Sequence, residues 1–548
     1  MRPNQVGGHA AIALLEAYGV DTVFGIPGVH TLELYRGLAD RKMRHIGVRH
    51  EQGAGFMADG YARASGKPGV CFIITGPGMT NIMTAMGQAY ADSVPMLVIS
   101  SVNGRRELGM AQGRLHELPS QRGTVAGVAA FSHTLLDPAQ LPEVMARAFA
   151  VFSSARPRPV HIEIPLDVIT AEVGDLAAKA WPLPPRAAPA GSAIEQAATL
   201  LRGAKRPLIV VGGGAADIGS GLADLAAHLD SPVFATINGK GILPPRHPLA
   251  LSGNLGMTPL REELRQCDVV LAIGTEFGET EMYPEPHPVE IAGKLIRIDI
   301  DPLQLVNNLP ADLPIQADAR LAITALNAAL GVRPGATPAA GGKGATRAAD
   351  LRKRVASGLW PATRIHGALL RTVTEALPDA VIAGDQTEPV YAANQTYEAP
   401  RPRSYFNSST GYGTLGYGMP AAIGAKLGQP HRPAVCLIGD GGLQFSLPEL
   451  TSAVEAQVPV AILIWNNTGY GEIKAYMADR NIPQIGVDIA TPNFVAIASG
   501  MGCFASRPED LEALRAELKA SPTRKTPTVV EIQSGSRLAR ELEAAGAA

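Results

Sequence analysis

An α/β chain with three doubly wound parallel-sheet domains is what the residues predict, and three observations carry that expectation. The chain has 548 residues, too many for one hydrophobic core. Two stretches, "WPLPPRAAPAGS" at 181–192 and "GVRPGATPAAGGKGATRA" at 331–348, are rich in Pro, Gly and Ala and lack apolar periodicity, so they read as linkers. The parts they separate are expected at 1–180, 190–332 and 350–540. Each part also repeats one phrase: an apolar strand, a Gly-rich turn, a helical stretch, and a second apolar strand opened by Pro.

The first part writes this phrase as "GVCFIITGPGMTN" and later "VPMLVIS". The second writes it as "RPLIVVGGGAAD" and "SPVFATING", the third as "PAVCLIGDGGLQF" and "VPVAILIWNN". Continuous apolar strands alternating with helices indicate βαβ units and a buried parallel sheet. The repetition is one of architecture, with little residue identity.

Composition narrows the function classes. A formal net charge of −2 leaves no broad electrostatic footprint for nucleic acid or a membrane surface. Cys71, Cys267, Cys436 and Cys503 form no CxxC pair, and two of them lie inside apolar runs. They read as reduced core residues of a cytoplasmic protein. The stretch "MRPNQVGGHAAIALLEAYGV" has no long apolar h-region, and no run reaches the length of a membrane span.

In open α/β sheets, ligands bind beyond the carboxyl ends of the strands. Asp440 follows the strand "AVCLI", and Asn467 follows the next strand, "VAILIW". Adjacent parallel strands would bring both to one edge. A carboxylate, an amide oxygen and a nearby backbone carbonyl are hard ligands that suit Mg²⁺ sharing its remaining places with water and phosphate oxygens. Gly441 and Gly442 would let backbone N–H groups approach a phosphate. Gly-Asp-Gly alone is a common turn. The order strand, "GDG", helix, strand, "NN" is far more specific.

That order, "GDGGLQF…WNNTGYG", resembles the cofactor motif of thiamine-diphosphate enzymes, and the chain is similar over nearly its whole length to the group containing acetolactate synthase, pyruvate decarboxylase and benzaldehyde lyase. The resemblance implies pyrimidine-binding, central and diphosphate-binding domains in that order. It implies Asp440, Asn467 and the Gly469 carbonyl as Mg²⁺ ligands. It places Glu51, in "RHEQGAGFMADGYAR", as the acid that hydrogen-bonds the aminopyrimidine and helps remove the thiazolium proton. A first-turn acid stabilised by the helix dipole is the alternative for Glu51. Leu415, in "GYGTLGYG", falls where the family supports the bent cofactor, and the Gly413 carbonyl where it accepts from the pyrimidine amino group; a core leucine in a Gly-rich loop is the alternative. Pro27 in "FGIPG", and Thr75 and Asn81 in "TGPGMTN", match the pyrimidine-side loops, while Thr387, Tyr470 and Gly471 join Gly441 and Gly442 as cofactor contacts. In related enzymes Glu51 and Asp440 would meet across a subunit interface, which implies a homodimer or homotetramer.

The substrate rests on fewer residues. His30 in "GIPGVHT" matches an active-site histidine of benzaldehyde lyase, and His116 in "GRLHELP" stands where acetolactate synthase carries glutamine. Histidines near neutral pKa relay protons; surface or structural histidines are the alternative. Glu472, in "NNTGYGEIK", occupies an apolar pocket position of pyruvate decarboxylases, and a carboxylate there suits a guanidinium tail. A solvated first-turn acid is its alternative. The N-terminal stretch looks most like 2-ketoarginine decarboxylases. The expected reaction is therefore conversion of 5-guanidino-2-oxopentanoate to 4-guanidinobutanal and CO₂, with a carboligase of acetolactate-synthase or benzaldehyde-lyase type as the alternative. Two departures matter: His116 in place of that glutamine, which puts acetolactate synthesis in doubt, and a phrase of the central part. "GTEFGET" puts Glu276 where flavin-carrying relatives have arginine, which argues against FAD. "GGGAAD" at 212–217 lacks the GxGxxG spacing of a nicotinamide dehydrogenase.

Overall fold

A computed structural model describes residues 5–39, 41–174, 176, 178–282, 289–339 and 341–547. Their strands form three six-stranded sheets in which every pairing is parallel. The first sheet contains β1 Thr22–Gly25, β2 Arg44–Gly47, β3 Gly69–Ile73, β4 Met96–Val102, β5 Phe131–Thr134 and β6 Val160–Pro165. The second contains β7 Pro207–Val211, β8 Val233–Ala235, β9 Ala250–Leu251, β10 Val269–Ile273, β11 Lys294–Asp299 and β12 Leu313–Gln316. The third contains β13 Val381–Gly384, β14 Tyr405–Asn407, β15 Ala434–Gly439, β16 Ala461–Asn466, β17 Phe504–Ser506 and β18 Thr528–Gln533.

The apolar runs that announced the strands are buried along their whole length in β3, β7, β10, β15 and β16. Helices cover both faces of each sheet, so no alternation with polar residues is needed. The first sheet runs β2-β1-β3-β4-β6-β5 and the third β14-β13-β15-β16-β18-β17, the same order. The central sheet differs, running β12-β11-β10-β7-β8-β9. In the outer sheets the order reverses between β1 and β3 and between β13 and β15. Ligands of open α/β sheets sit outside the strand ends at such a reversal.

The outer units share one core. Helix Gly418–Gly428 crosses helix Glu51–Ser65 so closely that a Cβ on Gly424 would lie 1.9 Å from the Met57 carbonyl oxygen. Only glycine permits that approach.

Two elements depart from the expectation. Helix Lys343–Ser357 begins inside the second presumed linker and buries Ala348, Leu351 and Val355 against the central unit's core. The helical stretch after "GDG" is broken into Asp440–Gln444 and Glu449–Glu455, because Pro448 disfavours helical backbone at the residue before it. All four cysteines are free and buried. Among the described residues no helix is long and apolar enough to cross a membrane.

Candidate active site

At the carboxyl edge of the first sheet, β2 leads into helix Glu51–Ser65, and His50 caps it by accepting the Gln52 N–H on Nδ1. Glu51 is nearly buried at 9% exposure, and its Oε2 accepts from Asn81 Nδ2 at 2.9 Å. Gly78 lies so close that a Cβ there would sit 3.2 Å from Glu51 Oε1. The turn before Glu51 is tied down by the third unit: Glu449 Oε1 accepts the backbone N–H groups of Arg49 at 3.0 Å and His50 at 2.9 Å.

The loops after β1 and β3 complete this edge. Beyond Pro27, Gly28 and Thr31 close a tight turn through N–H to Oγ1 and Oγ1–H to carbonyl bonds. That turn carries His30, which is buried to 9% exposure. Thr75 is fully buried and turns its hydroxyl inward, donating to Ser101 Oγ at 3.0 Å. Gly76 has φ +68°, and a Cβ there would lie 2.5 Å from the His116 carbonyl oxygen. Its N–H donates to Gln121 Oε1 at 2.8 Å, and Gln121 Nε2 faces Ser100 Oγ, the Ser101 carbonyl and Glu163 Oε2. Gln121 thus pins the loop on which His116 rests. The His30 and His116 rings stand 5.3 Å apart, and Nδ1 of each has no hydrogen-bond partner among the described residues. Burial first, then the His116 charge, lowers the pKa of His30, with Glu107 opposing.

The second cluster lies at the carboxyl edge of the third sheet. Gly439 of β15 pairs with Trp465 of β16, so Asp440 and the "NN" residues emerge side by side. Asn466 ends β16 and is spent on structure: its Nδ2 donates to Glu531 Oε1 and its Oδ1 accepts the Thr468 N–H. Asn467 stays half-buried and donates from Nδ2 to Glu388 Oε1 at 3.1 Å. Thr468 between Asn467 and Gly469 has φ +61°, a strained state for a β-branched residue that tightens this turn. Gly469 bridges to Asp488, and the Tyr470 N–H donates to the Val487 carbonyl. The Tyr470 ring leans on Gly441, where a Cβ would sit 2.7 Å from it. Thr387, nearly buried, stands beside Gly439, and Gly442 lies against Asp385. Asp385 is buried and its carboxyl is pushed up to about 6 by burial, against N–H groups that include those of Gly418 and Gln386. It joins "GDG" to the loop of Leu415. Leu415 is half-buried, behind an exposed Gly413, and the neighbouring Thr414 hydroxyl donates to Gln88 Oε1 at 2.8 Å.

Asp440 tests whether the second cluster suits a cation. It is 1% exposed, and its Oδ2 has no hydrogen-bond partner among the described residues. Burial pushes its carboxyl up, opposed by the N–H groups of Asp440, Gly441, Asn467 and Gly469. A buried, partnerless carboxylate oxygen beside two small residues fits a divalent ion. Among the described residues no three His, Cys, Asp or Glu side chains gather as a metal site. The ion would therefore take one carboxylate from the protein, with amide and carbonyl oxygens, and leave places for a diphosphate.

Helix Pro77–Ala91 meets Glu51 through Gly78 and Asn81 in its first turns, and near its end Gly87 and Gln88 meet Tyr412 and Thr414 of the loop that carries Leu415. At 1.5 Å per residue, Gly78 and Gln88 are about 15 Å apart along the axis.

Glu472 is exposed in the first turn of helix Gly471–Asp479, one residue past Gly471, which approaches Asn467 and Glu388. Burial, then the Glu472 charge, raises the phenols of Tyr391 and Tyr476. In the central unit, Glu276 lines a crevice with Gly212, Gly274 and Asp299, and it receives Arg156 Nη2 at 2.5 Å. Sequence reasoning missed Gln121, Glu388 and Glu449, which act through partners far away in the chain. An acid next to Thr387 at a helix start was the only available signal for Glu388.

Three family descriptions match the chain: thiamine pyrophosphate enzyme, N-terminal TPP binding domain, over residues 5–123; central domain, over 194–326; and C-terminal TPP binding domain, over 385–532. The chain is 46% identical over 540 residues to the probable 2-ketoarginine decarboxylase AruI of Pseudomonas aeruginosa, covering 97% of this chain and 95% of that protein. It is 33% identical to the acetolactate synthase isozyme 1 large subunit of Escherichia coli, over 95% of this chain and 93% of that protein. A probable acetolactate synthase large subunit of Methanocaldococcus jannaschii is 31% identical, over 96% and 91%.

Proposed function

The chain belongs to the thiamine pyrophosphate enzymes, and from that premise we propose that it is a Mg²⁺-dependent decarboxylase of 5-guanidino-2-oxopentanoate, releasing CO₂ and 4-guanidinobutanal. That it is a thiamine-diphosphate-dependent 2-oxo acid decarboxylase follows from the family and its decarboxylase relative. The substrate and the metal are our own reading. The observation that carries the substrate reading is Glu472: an exposed carboxylate beside two tyrosines, at the lip of the Asp440 cluster. A guanidinium suits such a setting, pairing with the carboxylate and lying on an aromatic face.

When bound, thiamine diphosphate supplies the electron sink for loss of CO₂. The chain does the rest. Asp440, the Asn467 amide oxygen and the Gly469 carbonyl hold Mg²⁺, and the N–H groups of Gly441 and Gly442 approach the diphosphate. Thr387, Tyr470 and Gly471 wall the same edge. Leu415 and the Gly413 carbonyl position the middle of the cofactor, while Pro27, Thr75 and Asn81 shape the pyrimidine side. Asn81 occupies Glu51 Oε2 and so leaves Oε1, above Gly78, to hold the proton. His30 and His116 move a proton at the product carbon, and Glu472 Oε atoms hold the guanidinium. FAD has no part in the proposed reaction.

We also infer a homodimer or homotetramer, because Glu51 and the loop that carries Leu415 meet opposite ends of helix Pro77–Ala91. A second copy would bring one chain's Glu51 to the other's Asp440. The enzyme is taken to work in the cytoplasm.

The test is CO₂ release from a panel of 2-oxo acids, with and without thiamine diphosphate and Mg²⁺, followed by product analysis. The guanidino acid should be preferred, and an aldehyde should accumulate. A hydroxyketone product would establish the carboligase instead. Equal rates on pyruvate and the guanidino acid would end the substrate reading.

A further inference from the structure

We propose that Glu388 is a positioning residue that fixes which end of the Asn467 amide faces the cation. The proposal rests on the reading of Asn467 as a Mg²⁺ ligand. Glu388 opens helix Glu388–Thr396, directly after Thr387. Its carboxylate gathers the donors of Trp465 and Asn467, from β16 and the loop after it, and the ring of His366 from helix Pro361–Ala376. Oε1 accepts from Asn467 Nδ2 at 3.1 Å, and Oε2 accepts from Trp465 Nε1 at 2.8 Å and faces His366 Nε2 at 3.2 Å. His366 is 2% exposed, and its ring meets Trp465 edge-on at 4.5 Å. Glu388 is therefore held on one side by rigid, buried rings, and it presents its other oxygen to Asn467.

An asparagine amide has a donor end and an acceptor end of nearly the same shape. Only the acceptor end ligates a metal ion. Glu388 accepts the donor end, so Asn467 Oδ1 points the other way, available to the cation. The flipped amide would set Oδ1 against a carboxylate oxygen, two acceptors in contact. A glutamine at 388 cannot do this job alone. If its Oε1 accepts from Asn467, its Nε2 meets the donors of Trp465 and His366; if it turns round, Nε2 meets Asn467 Nδ2. Partners that orient metal ligands in this way change metal affinity by about 10- to 100-fold when replaced.

The arrangement predicts a polarity swap. In Asn467→Asp the ligand becomes a carboxylate, which repels Glu388. In the double variant Asn467→Asp/Glu388→Gln, the Gln amide donates to the new carboxylate while its oxygen accepts from Trp465 and His366. Every hydrogen bond is restored with the direction of one reversed.

The experiment titrates Mg²⁺ calorimetrically into apoprotein holding saturating thiamine diphosphate, for the parent, Glu388→Gln, Asn467→Asp and the double variant. Thermal melting of each apoprotein is recorded alongside. Each single substitution should weaken Mg²⁺ about 10- to 100-fold, and the double variant should return to within about tenfold of the parent. A merely structural Glu388 would lower the melting temperature without this rescue. Glu388→Gln with parental Mg²⁺ affinity, or a double variant no better than its singles, overturns the proposal. A parent protein that takes up no Mg²⁺ overturns the metal reading, and the proposal with it.

Discussion

The imidazoles of His30 and His116 face each other with centroids 5.3 Å apart and ring planes tilted by 60°. Two such rings cannot both carry a proton cheaply. Burial and the His116 charge hold the pKa of His30 below its ordinary 6.5. If neutral His30 is the working form, the acid limb of kcat/KM lies below pH 6.5 in the parent. His116→Gln removes one of the two influences that lower the pKa, so the pKa of His30 rises and the limb moves to higher pH. Profiles of the parent and His116→Gln from pH 5 to 8 check this; an unmoved limb disconnects the pair from catalysis.

Glu51 gives a second expected outcome. Glu51→Gln keeps the bond from Asn81 and the size of the side chain but cannot hold the proton at Oε1 in the same way. Turnover should fall by about 10²- to 10⁴-fold, the usual worth of a positioned acid or base. Thiamine diphosphate binding, followed by calorimetry, should stay close to parental, because the diphosphate is held at the other cluster. Loss of binding equal to the loss of turnover would make Glu51 a binding residue only.

Much of this was legible in the sequence because strands buried on both faces write themselves as apolar runs. Asp440 and Asn467 could be paired because both follow such runs, and adjacent parallel strands end together. The run "HIGV" put Glu51 at a strand end and the start of a helix of small residues, but only the family resemblance set it apart from an ordinary first-turn acid. Contacts between distant segments leave no such trace. Nothing in "DQTEPV" tells that Glu388 gathers His366, Trp465 and Asn467, or in "SLPELT" that Glu449 holds the turn before Glu51. Helix Lys343–Ser357 was hidden for another reason: its first turn is as Gly- and Ala-rich as the loop before it, and its apolar positions 348, 351 and 355 start only later. The shared strand order of the outer sheets was likewise beyond reach, since order is set by crossovers and not by the strands themselves.

Glu472 should govern selectivity. Glu472→Leu removes the carboxylate while leaving the exposed helix start intact. The KM for the guanidino acid should rise about tenfold or more, the scale of a charge-assisted hydrogen bond of roughly 1.5–3 kcal/mol. Activity on an apolar 2-oxo acid of similar length should hold or improve. Steady-state kinetics on both substrates decide it: a preference that survives the substitution leaves the guanidinium to another group.

The separation of Glu51 from the Leu415 loop along helix Pro77–Ala91 yields the sharpest outcome, because a shared site turns two dead proteins into a live one. Glu51→Gln lacks the acid and Asp440→Ala lacks the metal ligand, so each alone should be inactive. Suppose each site takes Glu51 from one chain and Asp440 from its neighbour. When the two variants are unfolded together and refolded at equal amounts, the neighbour supplies an intact Glu51 half of the time, and an intact Asp440 is present half of the time. About a quarter of the sites are then whole, and about a quarter of parental activity returns, for a dimer or a tetramer alike. If each site were built within one chain, no mixture could contain a whole one, and the mixed sample would stay as inactive as its parts. Activity measured on the refolded mixture, against each variant refolded alone, separates the two arrangements.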